Sequence, residues 1–256
     1  MRRIVEVKNI KIGEGIPKVC VSMTGENLEE LKKEAHVLKT APLDIVEWRA
    51  DFFDEVQDIL KVKETLKVIG EILYDIPILF TFRSKKEGGA KNIDIEYYKT
   101  LILCVAEEKI ADLIDIELFM GDDTVKELIE KCHENGGRVV ISNHDFQNTP
   151  RKEEIVARLK KMQMLGADIA KIAVMPRNSS DVIELLSATN EMNQKCREIP
   201  IITMSMSGIG VLSRVAGEIF GSAVTFGAVR KPSAPGQIGI GDLNSILKVL
   251  HESLNK

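Results

Sequence analysis

Four cysteines and four histidines are all that 256 residues contain, and neither type is spaced for metal binding. Cys20, Cys104, Cys132 and Cys196 include no C-x-x-C pair, and His36, His133, His144 and His251 form no H-x-x-x-H or H-E-x-x-H pattern. Those spacings are what bring several ligands to one ion. A dedicated metal site is therefore not expected, and the cysteines read as reduced thiols. Excess positive charge is also missing: the formal net charge is −4, the pI is near 5.7, and the charged residues are mixed along the chain. That excludes the basic field a nucleic-acid partner needs. Apolar runs such as LILCVA fall far short of the ~20 residues of a membrane span. Near the N-terminus, Glu6, Lys8 and Lys11 interrupt the chain before the apolar core of a signal peptide can form. The expectation is a soluble, cytoplasmic protein with a small-molecule substrate and no nucleic-acid or membrane partner.

What is present is regular alternation. At 44% hydrophobic composition the chain can bury a large core. Short β-branched runs at 18–24, 44–53, 77–84, 113–119, 138–146, 168–175, 200–207 and 225–229 read as eight strands, each followed by an amphipathic helical pattern. Asp122, Ser180 and the Gly136-Gly137 pair read as helix ends. Eight strand-then-helix units in this length predict an α/β (β/α)8 TIM barrel, one domain over residues 1–256, in preference to an open doubly wound sheet. The preceding segment RRIVEVKNIKIGEG alternates like a hairpin about Lys8-Asn9 and is expected to close the barrel floor. No linker, low-complexity tract or further repeat interrupts the pattern.

In such a barrel the chemistry belongs at the C-terminal ends of the strands. Polar residues do interrupt the apolar runs there: Glu47 and Arg49, Arg83 followed by Glu87, Asp115 and Glu117, His144 with Asp145, Lys171, and the stretch Thr203–Met206. Together they suggest a polar pocket. Glu47 and Arg49 read either as an interior ion pair or as substrate contacts, and Asp115 and Glu117 as supporting partners in mid-strand.

Lys171 is the residue that demands an explanation, because Ile169, Ala170, Ile172, Ala173 and Val174 surround it. Either it snorkels or meets a carboxylate across the sheet, or desolvation makes it a neutral nucleophile. His144 sits on the neighbouring strand. An amine and an imidazole in reach of one ligand form the constellation for Schiff-base chemistry, with the histidine moving protons. The stretch 229–242, VRKPSAPGQIGIGD, has prolines and glycines that suit either a lid or a plain connection.

With these residues assembled, the chain resembles the type I 3-dehydroquinate dehydratases, the Schiff-base dehydratases of the shikimate pathway. The resemblance runs end to end and rests on EWRADFF, FTFRSKKEGG, DIELF, SNHDF, LGADIAKIAVMP, ITMSMS, GSAVTFGAV and SAPGQI. It implies a (β/α)8 barrel, usually a homodimer, with no cofactor or metal. By motif, Lys171 would form the imine with 3-dehydroquinate, His144 would be the acid/base, and Glu87 would orient that histidine. Glu47, Arg49 and Arg83 would hold ring hydroxyls, and Arg214 would take the substrate carboxylate. Ser233, Ala234 and Gln237 would close over the ligand, Met204, Met206 and Phe226 would form an apolar wall, and Ser22 would add a polar contact. The nearest rival is a class I aldolase, which shares the lysine but predicts a phosphate nest; a non-catalytic ligand-binding barrel is the rival from another class.

Overall fold

The computed structural model describes residues 4–196, 198–229 and 233–256. It opens with an antiparallel hairpin of β1 (Val5–Val7) and β2 (Ile10–Ile12), paired Val5 to Ile12 and Val7 to Ile10. Lys8 turns the corner with φ 46°. Eight parallel strands follow: β3 (Lys18–Met23), β4 (Ile45–Arg49), β5 (Ile78–Thr81), β6 (Leu113–Glu117), β7 (Arg138–Asp145), β8 (Ile169–Val174), β9 (Ile201–Ser205) and β10 (Val224–Gly227). From β3 to β9 each pairs with the next in chain order, and β10 pairs with β3. The last seam is short: Ala223 N–H donates to Ile201 O at 2.8 Å where β9 meets the entry of β10, which brings the sheet round into a barrel.

Between strands run α1 (Leu28–Lys39), α2 (Ile59–Ile72), α3 (Ile95–Glu108), α4 (Asp122–Glu134), α5 (Lys152–Leu165) and α6 (Ser179–Lys195). After β9 come α7 (Val211–Val215) and α8 (Gly217–Phe220), and after β10 comes α9 (Ile240–Leu254). Because side chains alternate along a strand, each strand faces helices on one side and the barrel interior on the other. Val46, Trp48, Phe80, Ile114, Ile141, Ala170, Ile172 and Val174 join the helices in the outer core. Ile45, Leu79, Leu113, Val140, Ile169, Ile202 and Val224 pack inward near the strand starts, and Val5, Val7 and Ile12 of the hairpin lie against them. Burying each such aliphatic side chain contributes roughly 1.5–3 kcal/mol. The hairpin is thus the apolar plug at the N-terminal end, which leaves the other end free for polar groups.

Several expected boundaries move. The strand expected over 44–53 ends at Arg49, and Ala50–Phe52 make a single 3-10 turn. The helix expected across 211–222 breaks at Ala216, where Gly217 lies against Pro17 and the Ser222 carbonyl too closely for a Cβ. Asp122 is the first residue of α4, behind Gly121, and the side chain that caps α6 is Asn178, accepting from Ser180 N and Asp181 N. Gly136, at φ 86°, does end α4 as its sequence suggested. Of the expected lid 229–242, residues 230–232 lie outside the described residues, and 240–242 already belong to α9.

Candidate active site

Lys171 faces the barrel interior because β8 alternates: Ala170, Ile172 and Val174 point outward into the helices. The apolar flanks that make this lysine conspicuous in the sequence are therefore mostly on the other face. Its own side chain is 3% exposed and meets two carboxylates, Glu47 Oε1 at 3.4 Å and Asp115 Oδ2 at 3.6 Å. The Phe226 ring centroid lies 4.6 Å from Nζ. Lys171 thus meets carboxylates from across the barrel and also lines a pocket.

Glu47 does not pair with Arg49. It accepts from Ser22 Oγ at 2.5 Å and from Thr81 Oγ1 at 3.0 Å as well as from Lys171. Burial alone would raise this carboxyl, but Lys171, then Arg49, the Ser22 hydroxyl and Arg83 outweigh it and hold it at about 2. Arg49 instead forms a two-pronged pair with Asp51, Nε to Oδ1 and Nη2 to Oδ2, both 2.8 Å. Asp51 is fully buried and also accepts from the backbone N–H groups of Arg83 and Ala90. Sequence reading missed it by carrying the strand through it; the alternation of polar Glu47, Arg49 and Asp51 was the available signal.

Arg83 is the hub of the interior. It donates to Asp115 at 2.9 Å, Glu117 at 3.0 Å and Ser142 at 2.9 Å, with Glu87 at 3.4 Å. Burial works against its charge, but these carboxylates outweigh that and raise its pKa. Asp115 and Glu117 are thus the supporting partners expected of them, although Asp115 also reaches Lys171.

His144 and Glu87 come together from different units. Glu87, in the 3-10 turn Lys85–Glu87, accepts from His144 N–H at 2.9 Å and stands 3.1 Å from His144 Nδ1. Asn143 Nδ2 donates to its other oxygen at 3.1 Å. Gly88 at φ 83° lets the chain leave this turn against Phe146, where a Cβ would clash. Burial pushes the Glu87 carboxyl up to about 7, beyond what Arg83 restores. Burial, and then the positive charges of Arg83, Lys171 and Arg49, push His144 well down, so the imidazole is neutral near pH 7. In the β7–β8 register Ser142 faces Lys171 and His144 faces Ala173, which sets the imidazole one inward position above the amine.

A cavity of about 210 Å³ opens at this end, and every site residue named from the sequence lines it except Arg214: Ser22, Glu47, Arg49, Arg83, Glu87, His144, Lys171, Met204, Met206, Phe226, Ser233, Ala234 and Gln237. Arg214 lies behind Met204, Phe226 and Pro235, 1% exposed. It donates to Phe226 O at 3.4 Å, Pro235 O at 2.9 Å and Met204 Sδ at 3.9 Å, and its Nε has no partner among the described residues. Burial lowers it to about 10. Ser233 Oγ donates to Ser22 Oγ at 3.0 Å, and Gln237 bonds back to Ser233, so this loop reaches over the cavity rim. Among the described residues no cluster of three or more His, Cys, Asp or Glu side chains could hold a metal ion, and no helix is long and apolar enough to cross a membrane.

A buried amine and a neutral imidazole lining one small cavity, with a guanidinium behind its wall that has no carboxylate partner among the described residues, suit covalent chemistry on a carbonyl compound that carries an acid group. Residues 19–254 match the family model described as type I 3-dehydroquinase. A 3-dehydroquinate dehydratase of Clostridium botulinum is 59% identical over 254 residues, 99% of this chain and 100% of that protein. Among solved structures, a type I 3-dehydroquinate dehydratase from Clostridium difficile, with covalently modified comenic acid, superposes with TM-score 0.97 at 56% identity, covering 99% of this chain and 100% of that one. One from Geobacillus kaustophilus gives 0.95 at 39% identity, covering 98% and 99%.

Proposed function

Because the chain belongs to the type I 3-dehydroquinase family and is an enzyme that dehydrates 3-dehydroquinate in the shikimate pathway, we propose that it does so through an imine on Lys171, with His144 as acid and base. The observation that carries this reading is the pairing of a buried lysine with a neutral imidazole on adjacent strands of one cavity.

The Lys171 amine adds to the ketone of 3-dehydroquinate and, with loss of water, leaves a protonated imine that acidifies the neighbouring C2–H. His144 Nε2 takes that proton. The C1–O bond then breaks as the electrons move in to form the ring double bond, and the same imidazole returns its proton to the departing hydroxyl as water. Hydrolysis of the imine releases 3-dehydroshikimate and restores the amine.

The base needs its proton on Nδ1 so that Nε2 is free, and a Glu87 carboxylate 3.1 Å away accepts that Nδ1–H. Glu47, Arg49 and Arg83 hold the ring hydroxyls. Met204, Met206 and Phe226 pack on the ring, and Ser22, Ser233, Ala234 and Gln237 close the rim. Arg214, buried without a carboxylate partner among the described residues, takes the substrate carboxylate. A class I aldolase would use the same lysine, but the family match and this carboxylate-seeking arginine favour the dehydratase. The enzyme works in the cytoplasm without metal or cofactor as a homodimer. Exposed Val211 and Leu212 of α7, Ile219 of α8 and Val249 of α9 offer an apolar face to the second copy.

Borohydride reduction with 3-dehydroquinate present, followed by peptide mass mapping, tests the mechanism. A ligand-derived mass on Lys171 is expected, and a folded, active enzyme that traps none would refute the imine.

A further inference from the structure

Arg158 lies on α5, outside the cavity, with its side chain 18% exposed. Its Nη1 donates to Asn143 Oδ1 at 2.8 Å, its Nη2 to Glu154 one turn earlier, and its guanidinium carbon sits 5.6 Å from the Phe119 ring centroid. Asn143 is 3% exposed, stands on β7 between Ser142 and His144, and donates Nδ2 to Glu87 Oε1 at 3.1 Å. A guanidinium has only donors, so it accepts one orientation of the amide: oxygen toward Arg158, nitrogen toward Glu87. The flipped amide would set N–H against N–H at Arg158 and oxygen against oxygen at Glu87. The second contact becomes favourable only when Glu87 carries a proton.

We propose that Arg158 is a positioning residue: by fixing the Asn143 amide it keeps Glu87 an acceptor for His144 Nδ1–H, and so keeps His144 Nε2 free as the base. The inference rests on the Glu87–His144 reading above. The other charged or titratable groups facing Glu87 are Arg83, Glu117, Asp115 and His144, and none is altered by changing Arg158. A hydrogen bond to the ionised carboxylate favours that form, so losing it makes Glu87 easier to protonate.

The test is kcat/KM against pH for the parent, Arg158→Met, Arg158→Lys, Asn143→Ala and Glu87→Gln, with Tm measured for each. Methionine keeps the stem over Phe119 and removes the donor. Arg158→Met should move the acid limb up by about one pH unit, losing close to tenfold below it while the high-pH plateau stays near the parent's. Lysine should restore most of the shift. Asn143→Ala should shift the limb in the same direction, and adding Arg158→Met to Asn143→Ala should shift it no further. A folded Arg158→Met with the limb unmoved, or with a loss equal at every pH, overturns the proposal. If methionine is not tolerated, Arg158→Leu, which also lacks the donor, decides it by the same criterion. Failure of the underlying reading looks different: the parent's acid limb would then survive Glu87→Gln.

Discussion

Lys171 Nζ lies 3.4 Å from Glu47 Oε1 although 124 residues separate them. The contact exists because β4 and β8 face each other across the barrel, and it ties the buried amine to the acid stability of the site. The Glu47 carboxyl is held at about 2 against an ordinary 4.5. A group lowered on folding contributes stability that is present above its unfolded value and lost as pH falls from 4.5 through 2. Lys171→Met removes the leading partner, so the acid-unfolding midpoint should move to higher pH while the fold at pH 7 remains and turnover falls to background. Circular dichroism between pH 2 and 7 checks it; an unmoved midpoint would show that Lys171 does not support Glu47.

Glu87 has the opposite sign. Burial raises it to about 7, so its contribution favours the fold below its unfolded value and is lost as pH rises from 4.5 through 7. The proposed mechanism needs the ionised form, and kcat/KM should therefore fall as pH drops below about 7. Glu87→Gln should remove that limb, lower turnover, and gain in Tm relative to the parent between pH 5 and pH 8. An unchanged Tm difference across that range would contradict the burial argument. His144→Ala should still form the imine yet turn over poorly, leaving a covalent adduct visible by mass spectrometry.

Arg214 is a buried cation whose partners among the described residues are carbonyls and a thioether. Replacing such a charge with an apolar side chain of similar length is often neutral or stabilising. Arg214→Met is expected to keep or raise Tm while kcat/KM falls about 100-fold, roughly 3 kcal/mol for a lost charged hydrogen-bond pair. Steady-state kinetics beside a thermal melt decide it, since a structural arginine would lose both together.

Asp51 is a stability residue at the mouth. Asp51→Ala strands the Arg49 guanidinium and the N–H groups of Arg83 and Ala90, and should cost about 3–5 kcal/mol in urea unfolding. KM should rise as well, because Arg49 is no longer held. A loss below about 1 kcal/mol would mean that water replaces these bonds.

Gly236 holds the loop at the rim. Its φ is +80°, and a Cβ there would stand 2.1 Å from the Ser207 carbonyl. Gly236→Ala should displace Ser233 and Gln237, raising KM about tenfold, near 1.4 kcal/mol, with little change in Tm because the segment is peripheral. Substrate titration against the parent measures it; unchanged KM would make this loop a plain connection.

How much of this was legible beforehand follows from the physics of each signal. Period-two apolar runs and helical stripes depend on local order, so eight units and a barrel could be read directly, and each expected strand is present with ends shifted by a few residues. The hairpin at Lys8-Asn9 was legible for the same reason. Strand and helix ends were less so, because they depend on tertiary contacts: Asp51 leaves the strand to clasp Arg49, and Gly217 breaks a helix against Pro17. The charged candidates Glu47, Arg49, Arg83 and Lys171 were legible because charge inside an apolar strand is costly and therefore conspicuous, whereas the roles of Arg214, Phe226 and the rim residues came only from the family resemblance. Their partners were not legible. That Glu47 would choose Lys171 over Arg49, that Arg49 would choose Asp51, that Arg214 would sit behind the cavity wall, and that an α5 arginine would orient Asn143 are relations between distant segments. Sequence periodicity decides which face a residue is on; only closure of the barrel decides whom it meets there.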